Sequence, residues 1–166
     1  MSERVPAPGG LALVQDLVNT LDLESGADSL DTAEGRARFG LAGERETAAA
    51  RELREALRAT LLAHAGHPPH RETAPLDVLL AEAPLVVTVG TDGTASLAPT
   101  DPRPLTSRVA AAIAEALVAG TWPRLKACEA TDCHWAYYDR SPAARGRWCS
   151  MSSCGARAKM RRYRAK

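Results

Sequence analysis

The sequence is poor in aromatic residues. Its 166 residues include three Trp, three Tyr and one Phe, so a core has to be built mainly from Leu, Val and Ala, which favours packed helices. The sequence also lacks any apolar run close to the roughly 18 residues of a membrane span. The sequence also lacks the basic start and following apolar stretch that are typical of a secretion signal. We therefore expect a soluble, cytoplasmic protein that does not bind membranes.

Motifs of catalysis are missing as well. The chain contains no glycine-rich phosphate loop, no serine nucleophile elbow and no paired histidine and acid on a helix. These absences remove the recurrent hydrolase, kinase and metalloprotease patterns from consideration. We expect a protein that is not an enzyme.

Cysteine is absent from the first 127 residues, and four cysteines follow in two pairs. Four residues lie inside each pair and fifteen lie between the pairs: Cys128, Cys133, Cys149 and Cys154. Two such knuckles are typical of a tetrahedral Zn²⁺ site, and four thiolates would leave no open position for a substrate. The alternatives are two disulfides or buried thiols, but no feature directs the chain to an oxidising compartment. His134, which follows a predicted ligand, is a weaker candidate donor.

Positive charge is concentrated at the same end of the chain. From Thr121 onward there are eleven Lys and Arg against three acids, a net charge of +8, whereas the first 120 residues carry ten bases and seventeen acids, a net charge of −7. Good helix formers predict a helix over residues 153–166. A cationic helix without acids favours a polyanionic partner. Its cations are Arg157, Lys159, Arg161, Arg162, Arg164 and Lys166.

The predicted helix and the loop before it supply the candidate contacts to nucleic acid. At 100° per residue, Arg157, Arg161 and Arg164 share one side of the helix, while Lys159 and Arg162 point elsewhere. The loop adds three arginines beside Ser141-Pro142 and Gly146, and it can lie along a phosphate backbone. These arginines are Arg140, Arg145 and Arg147.

Four of the seven aromatic residues lie between or beside the cysteine pairs. They are Trp135, Tyr137, Tyr138 and Trp148. A small metal module needs large side chains for its core, which is the interpretation that we favour. Aromatic rings beside cations also stack on unpaired bases, so RNA binding remains an alternative.

The first 120 residues predict a helical body. Apolar residues at helical spacing, together with flanking Gly and Pro, indicate helices over residues 11–23, 29–40, 44–64, 76–83 and 105–117. In the third of these, Leu53, Leu57 and Leu61 repeat every four residues beneath a predicted exposed surface of Glu and Arg. An Asp92-Gly93 turn between β-branched runs predicts one β-hairpin near residues 85–98, and both central residues of such a turn need positive φ.

The predicted fold class is therefore mainly α. A helical N-terminal domain with one hairpin, residues 1–120, is followed by a small treble-clef-like zinc module with a basic C-terminal helix, residues 121–166. Trp122-Pro123 marks the boundary with little linker, so we expect the two parts to pack together.

Residues 122–166 resemble the CGNR zinc finger of bacterial stress-induced transcription regulators. The resemblance rests on five runs: Arg124-Leu-Lys126-Ala-Cys128, Cys133-His-Trp135, Tyr138-Asp-Arg-Ser141, Arg147-Trp-Cys-Ser-Met151 and Cys154-Gly155-x-Arg157-Ala-Lys159. In that family the finger follows an ABATE domain, so the resemblance implies an ABATE-like body. Ala156 stands where the family has the Asn of its name.

The resemblance implies a transcriptional regulator that binds double-stranded DNA, whereas charge by itself supports only nucleic acid. One alternative is an RNA-binding or ribosome-associated factor, suggested by the mixture of aromatics and arginines. Another is a protein-interaction zinc module whose cationic helix meets an acidic partner. The sequence leaves open whether the chain forms a homodimer and whether the N-terminal domain binds a small-molecule effector.

Overall fold

A computed structural model describes residues 5–165, so residues 1–4 and Lys166, at the ends of the two predicted domains, lie outside it. In this part of the chain, helices dominate and two small antiparallel sheets accompany them, which confirms the mainly α class. The helices are α1 (Leu11–Val18), α2 (Ala33–Ala37), α3 (Glu44–His64), α4 (Leu76–Leu80), α5 (Leu105–Val118) and α6 (Ala156–Arg164). The strands are β1 (Leu85–Val89), β2 (Ala95–Pro99), β3 (Leu125–Ala127) and β4 (Ala136–Tyr138).

The first helix ends at Val18, five residues before the predicted end. Thr20 Oγ1 donates a hydrogen bond back to the Leu17 carbonyl at 2.8 Å, and the chain then turns so that Leu21 pairs with Asp28. Asn19 reaches across to β4, where its amide nitrogen donates to the Ala136 carbonyl at 3.0 Å and its oxygen accepts from Ala136 N at 2.7 Å. The prediction of residues 11–23 was too long because the Asn19 side chain bonds to β4 and the Thr20 side chain bonds back to the last turn of the helix.

Of the other predicted helices, one has the predicted ends and two begin differently. The helix predicted over residues 29–40 is a 3₁₀ turn, Ser29–Asp31, followed by α2, because Thr32 is extended and its hydroxyl caps Gly35 N at 3.0 Å. The long helix is confirmed as α3. The helix predicted over residues 153–166 begins with a π-helical turn, Met151–Gly155, and continues as α6. Among the described residues, no helix is both long and apolar enough to cross a membrane.

One core joins the helical body to the strands of the cysteine-rich segment. Leucine and valine side chains of α1, α3 and α5 are fully buried together, among them Leu17, Leu57 and Val109. Leu125 of β3 and Ala136 of β4 belong to the same cluster and are also fully buried. Strands of three residues are too short to be stable alone, so β3 and β4 are held by the helices they pack against.

Helix α3 carries a buried network of charged residues that the sequence analysis predicted to be exposed. Arg58 is fully buried and donates to the Val18 and His134 carbonyls, each at 2.9 Å. Its Nε also donates to Glu55 Oε2 at 3.2 Å, and Arg54 Nε donates to Glu55 Oε1 at 2.8 Å. Burial would raise the pKa of Glu55, but the charges of Arg58 and Arg54 outweigh it and lower that pKa. The expectation of an exposed Glu and Arg surface was therefore wrong at these three positions.

The hairpin forms where β-branched residues predicted it, with a wider turn. Val87 pairs with Leu97 at the centre of the register, and β2 extends to Pro99. Gly90 N donates to the Thr94 carbonyl at 2.7 Å, and Asp92 Oδ1 accepts from Thr94 N at 3.0 Å. Of the two central residues Asp92 and Gly93, only Gly93 has positive φ, at 81°. The turn therefore needs one left-handed residue, where the sequence predicted two.

Candidate metal centre and basic helix

The four cysteine sulfurs converge on one point. Cys128 follows β3, Cys133 closes a turn in which its N–H donates to the Ala130 carbonyl, and Cys149 and Cys154 come from the later loop and the π-helical turn. All four sulfurs lie within 4.8 Å of one another, and no disulfide joins them. Cys149 Sγ lies 3.7 Å from both Cys133 Sγ and Cys154 Sγ. Four Zn–S bonds of about 2.3 Å would give a tetrahedron with edges of about 3.8 Å, so this spacing suits a tetrahedral metal.

The charges of the four thiolates also favour a bound cation. The neighbouring sulfurs of Cys133 and Cys149 lower the pKa of the Cys128 thiol, whereas the neighbouring sulfurs of Cys128 and Cys149, together with burial, raise the pKa of the Cys133 thiol. One thiolate therefore forms easily, and further thiolates repel it. Four thiolates can coexist here only if a bound cation offsets their charge. The donor set and its geometry thus fit a metal ion.

His134 does not join the sulfur cluster. Its Nδ1 lies 2.8 Å from the Cys128 carbonyl oxygen, and its backbone has a φ of 48°, which lets the chain turn sharply after Cys133. Arg58 holds the same turn through the His134 carbonyl. The residue is therefore part of the fold of the knuckle, and its role as an alternative metal donor has no support in this arrangement.

Arg157 lies at the base of α6 and hydrogen-bonds to the cysteine cluster. Its Nη2 donates to Cys154 Sγ at 3.3 Å, and its Nη1 donates to Glu24 Oε1 at 2.9 Å. Asp132 Oδ2 lies 3.5 Å from the same nitrogen. The hydrogen bonds to Cys154 and Glu24 raise the pKa of Arg157. This guanidinium, predicted as a phosphate contact, is engaged by a thiol sulfur and two carboxylates.

Beyond Arg157, α6 has no buried residue, and its Met160, Arg161 and Arg164 line an open cleft with Asp22 and Glu24 of the body. Its remaining cations are exposed, and among residues 5–165 none of them is ion-paired: Lys159, Arg161, Arg162 and Arg164. Met160 is 51% exposed and Tyr163 is 77% exposed. At 100° per residue these two apolar side chains lie on one side of the helix, with Lys159 and Arg162 along one flank and Arg161 and Arg164 along the other.

With this geometry in place, two family profiles account for nearly the whole chain. Residues 11–120 match ABATE, whose description is "Putative stress-induced transcription regulator", and residues 124–166 match the CGNR zinc finger. The chain belongs to the ABATE family. No curated protein matches it significantly. The family resemblance of the sequence is therefore confirmed, and the ABATE description assigns a regulatory role.

The CGNR motif of this ABATE protein has a clear structural basis at three of its four positions. Cys154 supplies a sulfur to the cluster, and Arg157 donates to that sulfur. A Cβ at Gly155 would lie 3.0 Å from Met151 Sδ and 3.2 Å from Trp148 Cδ1, so a larger residue would crowd the turn. Ala156 is exposed, and neither the sulfur cluster nor the Arg157 contacts involve its side chain.

Two of the three loop arginines of the CGNR finger are engaged within the chain. Arg147 pairs with Glu129 and lies over the Trp148 ring. Arg140 donates to the Pro6 carbonyl at 2.6 Å and lies over the Tyr138 ring. Arg145 is exposed. The structure thus brings Arg140, Arg145 and Arg147 onto the same module as α6, but Arg140 and Arg147 already have partners.

The aromatic residues of the finger contribute mainly to packing. Trp135 and Trp148 contact the buried cysteine cluster, Tyr138 packs on the main core, and Tyr137 is buried. This placement matches the interpretation of these four rings as core. The exposed ring of the CGNR finger is Tyr163 on α6.

Asp139 organises the arginine-rich loop, a role that sequence reasoning missed. Its carboxylate accepts from Ser141 N at 3.0 Å, from Gly146 N at 2.7 Å and from the buried Lys126 Nζ at 3.0 Å. A Cβ at Gly146 would lie 2.9 Å from Asp139 Oδ2, so the loop passes close to the carboxylate. Burial would raise the pKa of Asp139, but the bonds from Ser141 and Lys126 outweigh it and lower the pKa to about 2.

Replacing Asp139 should therefore destabilise the finger. We expect Asp139→Ala to reduce the free energy of unfolding by about 3–5 kcal/mol at neutral pH, because the buried Lys126 loses the carboxylate that offsets its charge. The folded pKa lies below the unfolded value of about 3.9, so this contribution is present above pH 4 and is lost as the pH falls toward 2. Urea unfolding at pH 7 measures the first effect, with exposed Asp77→Asn as control. An NMR titration midpoint of the Asp139 carboxyl near 4 would contradict the second.

Three further residues join the CGNR finger to the body and were not predicted. Asn19 bonds to β4, Arg58 bonds to the turn at His134, and Glu24 bonds to Arg157. Only Asn19 left a trace in the sequence, as a polar residue within an apolar helical pattern. The other two are ordinary charged residues whose partners lie far along the chain.

Proposed function

We propose that this ABATE protein is a transcriptional regulator in which Zn²⁺ fixes the CGNR finger and α6 binds double-stranded DNA. The observation that carries the proposal is the exposed positive charge of α6 together with its anchored base. Four cations without acidic partners surround an exposed helix whose base is tied to the metal cluster by Cys154 and Arg157. Such a helix has charge and exposure suited to a polyanion and an anchor that sets its direction.

The metal that suits the four cysteines best is zinc. Four thiolates at tetrahedral spacing are the usual donor set of structural zinc, and they exclude the open position of a catalytic site. When bound, zinc offsets the thiolate charge and holds the two knuckles together. Cys128 and Cys133 would anchor the metal to β3, while Cys149 and Cys154 would anchor it to the start of α6.

The dimensions of α6 suit the major groove. Its nine residues span about 14 Å, and the groove of B-DNA, about 12 Å wide, admits a helix. Met160 and Tyr163 would face the base edges, while Lys159 and Arg162 on one flank and Arg161 and Arg164 on the other would face the two phosphate strands. The net charge of −7 on the first 120 residues disfavours DNA contact elsewhere.

RNA binding is the second candidate, and one observation favours it. Tyr163 presents an exposed ring among cations, which is an arrangement that can stack on an unpaired base. Fluorescence anisotropy with a random DNA duplex, the matching single strand and an RNA of the same sequence would separate the candidates. Tighter binding to the duplex supports the DNA proposal. Tighter binding to single-stranded RNA contradicts it, and no binding to any of the three contradicts both.

Arg157 should support metal binding more than DNA binding. We expect Arg157→Gln to weaken zinc affinity about 10- to 100-fold, because groups that hydrogen-bond to a ligand tune the metal that it holds. Arg157→Lys should recover part of the loss, since it keeps the charge but cannot bond to Cys154 and Glu24 together. Competition with a chromophoric chelator measures the affinity, and Arg161→Gln is the matched control. Equal zinc affinity in Arg157→Gln and the wild type would contradict this role.

A further inference from the structure

An apolar cleft opens between the hairpin and α5, on the body of the protein. Its volume is about 690 Å³, and apolar residues form both walls, with Val87 and Leu97 on the hairpin and Ala111 and Val118 on the helix. Val87 is 70% exposed, Val89 is 69% exposed and Val118 is 82% exposed. A cluster of large apolar side chains at this exposure on a small protein indicates a contact surface.

The hairpin also presents an open sheet edge. Strand β1 pairs with β2 and contacts α5 less than β2 does, and within the described residues no strand pairs with its other edge. Leu85–Val89 contains no charged residue. Proteins usually protect such an edge with charges or proline, and a two-stranded sheet is marginally stable by itself. This edge is therefore suited to pairing with another strand.

Two opposite charges lie in the cleft on one side of α5. Arg108 and Glu115 both line it, and seven residues place them two helical turns, or about 10.5 Å, apart. Arg108 Nη2 donates to the Phe39 carbonyl, but its buried Nε has no hydrogen-bond partner. Glu115 is exposed, and no ion pair involves it in the part of the chain that the structure describes.

We propose that this cleft and the β1 edge form the interface with a second copy of the chain. In a twofold interface, each surface meets the same surface of its partner in the opposite direction. Arg108 would then face Glu115 of the partner subunit, Glu115 would face Arg108 of the partner subunit, and the valines between them would pack together. A cation and an anion at opposite ends of one apolar stripe are self-complementary in this way, which favours a second copy over an unrelated partner. The proposal is independent of DNA binding.

Charge exchange tests the interface directly. Sedimentation equilibrium of the wild type should give twice the chain mass of 17.6 kDa. Arg108→Glu and Glu115→Arg should each give monomers, because each places like charges opposite one another in both halves of the interface. The double variant Arg108→Glu/Glu115→Arg restores both pairs and should restore the dimer. Because Glu115 is exposed, its single variant should fold normally, which circular dichroism checks.

Apolar substitutions locate the interface. Val87→Asp should yield a monomer, whereas Val78→Asp, at an exposed position on α4 outside the cleft, should leave the dimer unchanged. A wild-type monomer throughout the concentration range would overturn the proposal, as would a Val87→Asp dimer. A monomer that binds the apolar dye ANS in a Val87-dependent manner would identify the cleft as a small-molecule site instead. If the wild type is a dimer and Glu115→Arg is a monomer, but the double variant does not form the dimer again, the proposed charge pairing is overturned.

Discussion

Replacing the four unpaired cations of α6 by glutamine should remove most of the affinity for duplex DNA. If each of Lys159, Arg161, Arg162 and Arg164 neutralises one phosphate, the log–log slope of affinity against salt should flatten by about 3.6, at about 0.9 per contact. For the wild type, such a slope means roughly a hundredfold loss of affinity over a fourfold rise in salt. The quadruple variant should be almost insensitive to salt.

The control for this experiment removes the same charge from the body. Four exposed arginines far from α6 in the sequence can be replaced by glutamine together: Arg38, Arg45, Arg71 and Arg103. This variant should keep the wild-type affinity and slope if binding depends on α6, and should match the quadruple variant if only net charge matters. A zinc-loaded quadruple variant that binds duplex DNA as the wild type does would refute the assignment of DNA binding to α6.

Loss of one cysteine should unfold the CGNR finger while the helical body remains folded. We expect about one zinc per wild-type chain and none in Cys149→Ser. Structural zinc contributes on the order of 10–16 kcal/mol to the folding of small fingers, and the finger has little else to replace it. Its own core consists of the cysteines, Ala130, Trp135 and Trp148.

The core in which β3 packs against the helices of the body should stay folded. Hydrogen exchange should show lost protection over residues 139–165, while α3 and β3 keep theirs, because Leu125 and Ala127 are buried against the helices. Elemental analysis measures the zinc, and Ser152→Ala, beside the ligands, is the control. Disulfides in place of zinc in the wild type, or a Cys149→Ser protein that keeps both metal and protection, would contradict the prediction.

Local and periodic features of the sequence determined much of this architecture. Repeated leucines four residues apart suffice to specify the long helix α3, since they place one apolar stripe on a helix. The β-branched run of Leu85–Val89 and the following Asp92-Gly93 likewise specify the hairpin. The spacing of the four cysteines anticipated a cluster because each pair needs only a short turn to bring two sulfurs together.

Tertiary structure decided which charged and polar side chains are bonded within the chain and which remain available to bind another molecule. Asn19 and Ala136 are 117 residues apart in sequence, as the bonds between them show, and no local pattern could pair them. Arg58 belongs to a helix whose charges all looked exposed, yet it is fully buried because two carbonyls and Glu55 receive its donors.

The same distinction separates the arginines of the C-terminal segment. Composition and spacing determined that a cationic helix follows a set of four cysteines. Only the fold decided that Arg157 bonds to Cys154 and Glu24, that Arg147 pairs with Glu129, and that Arg161 and its neighbours on α6 stay exposed. The physical reason is that a charge becomes engaged or available according to the groups that folding brings within a few ångströms of it, and those groups come from distant parts of the chain.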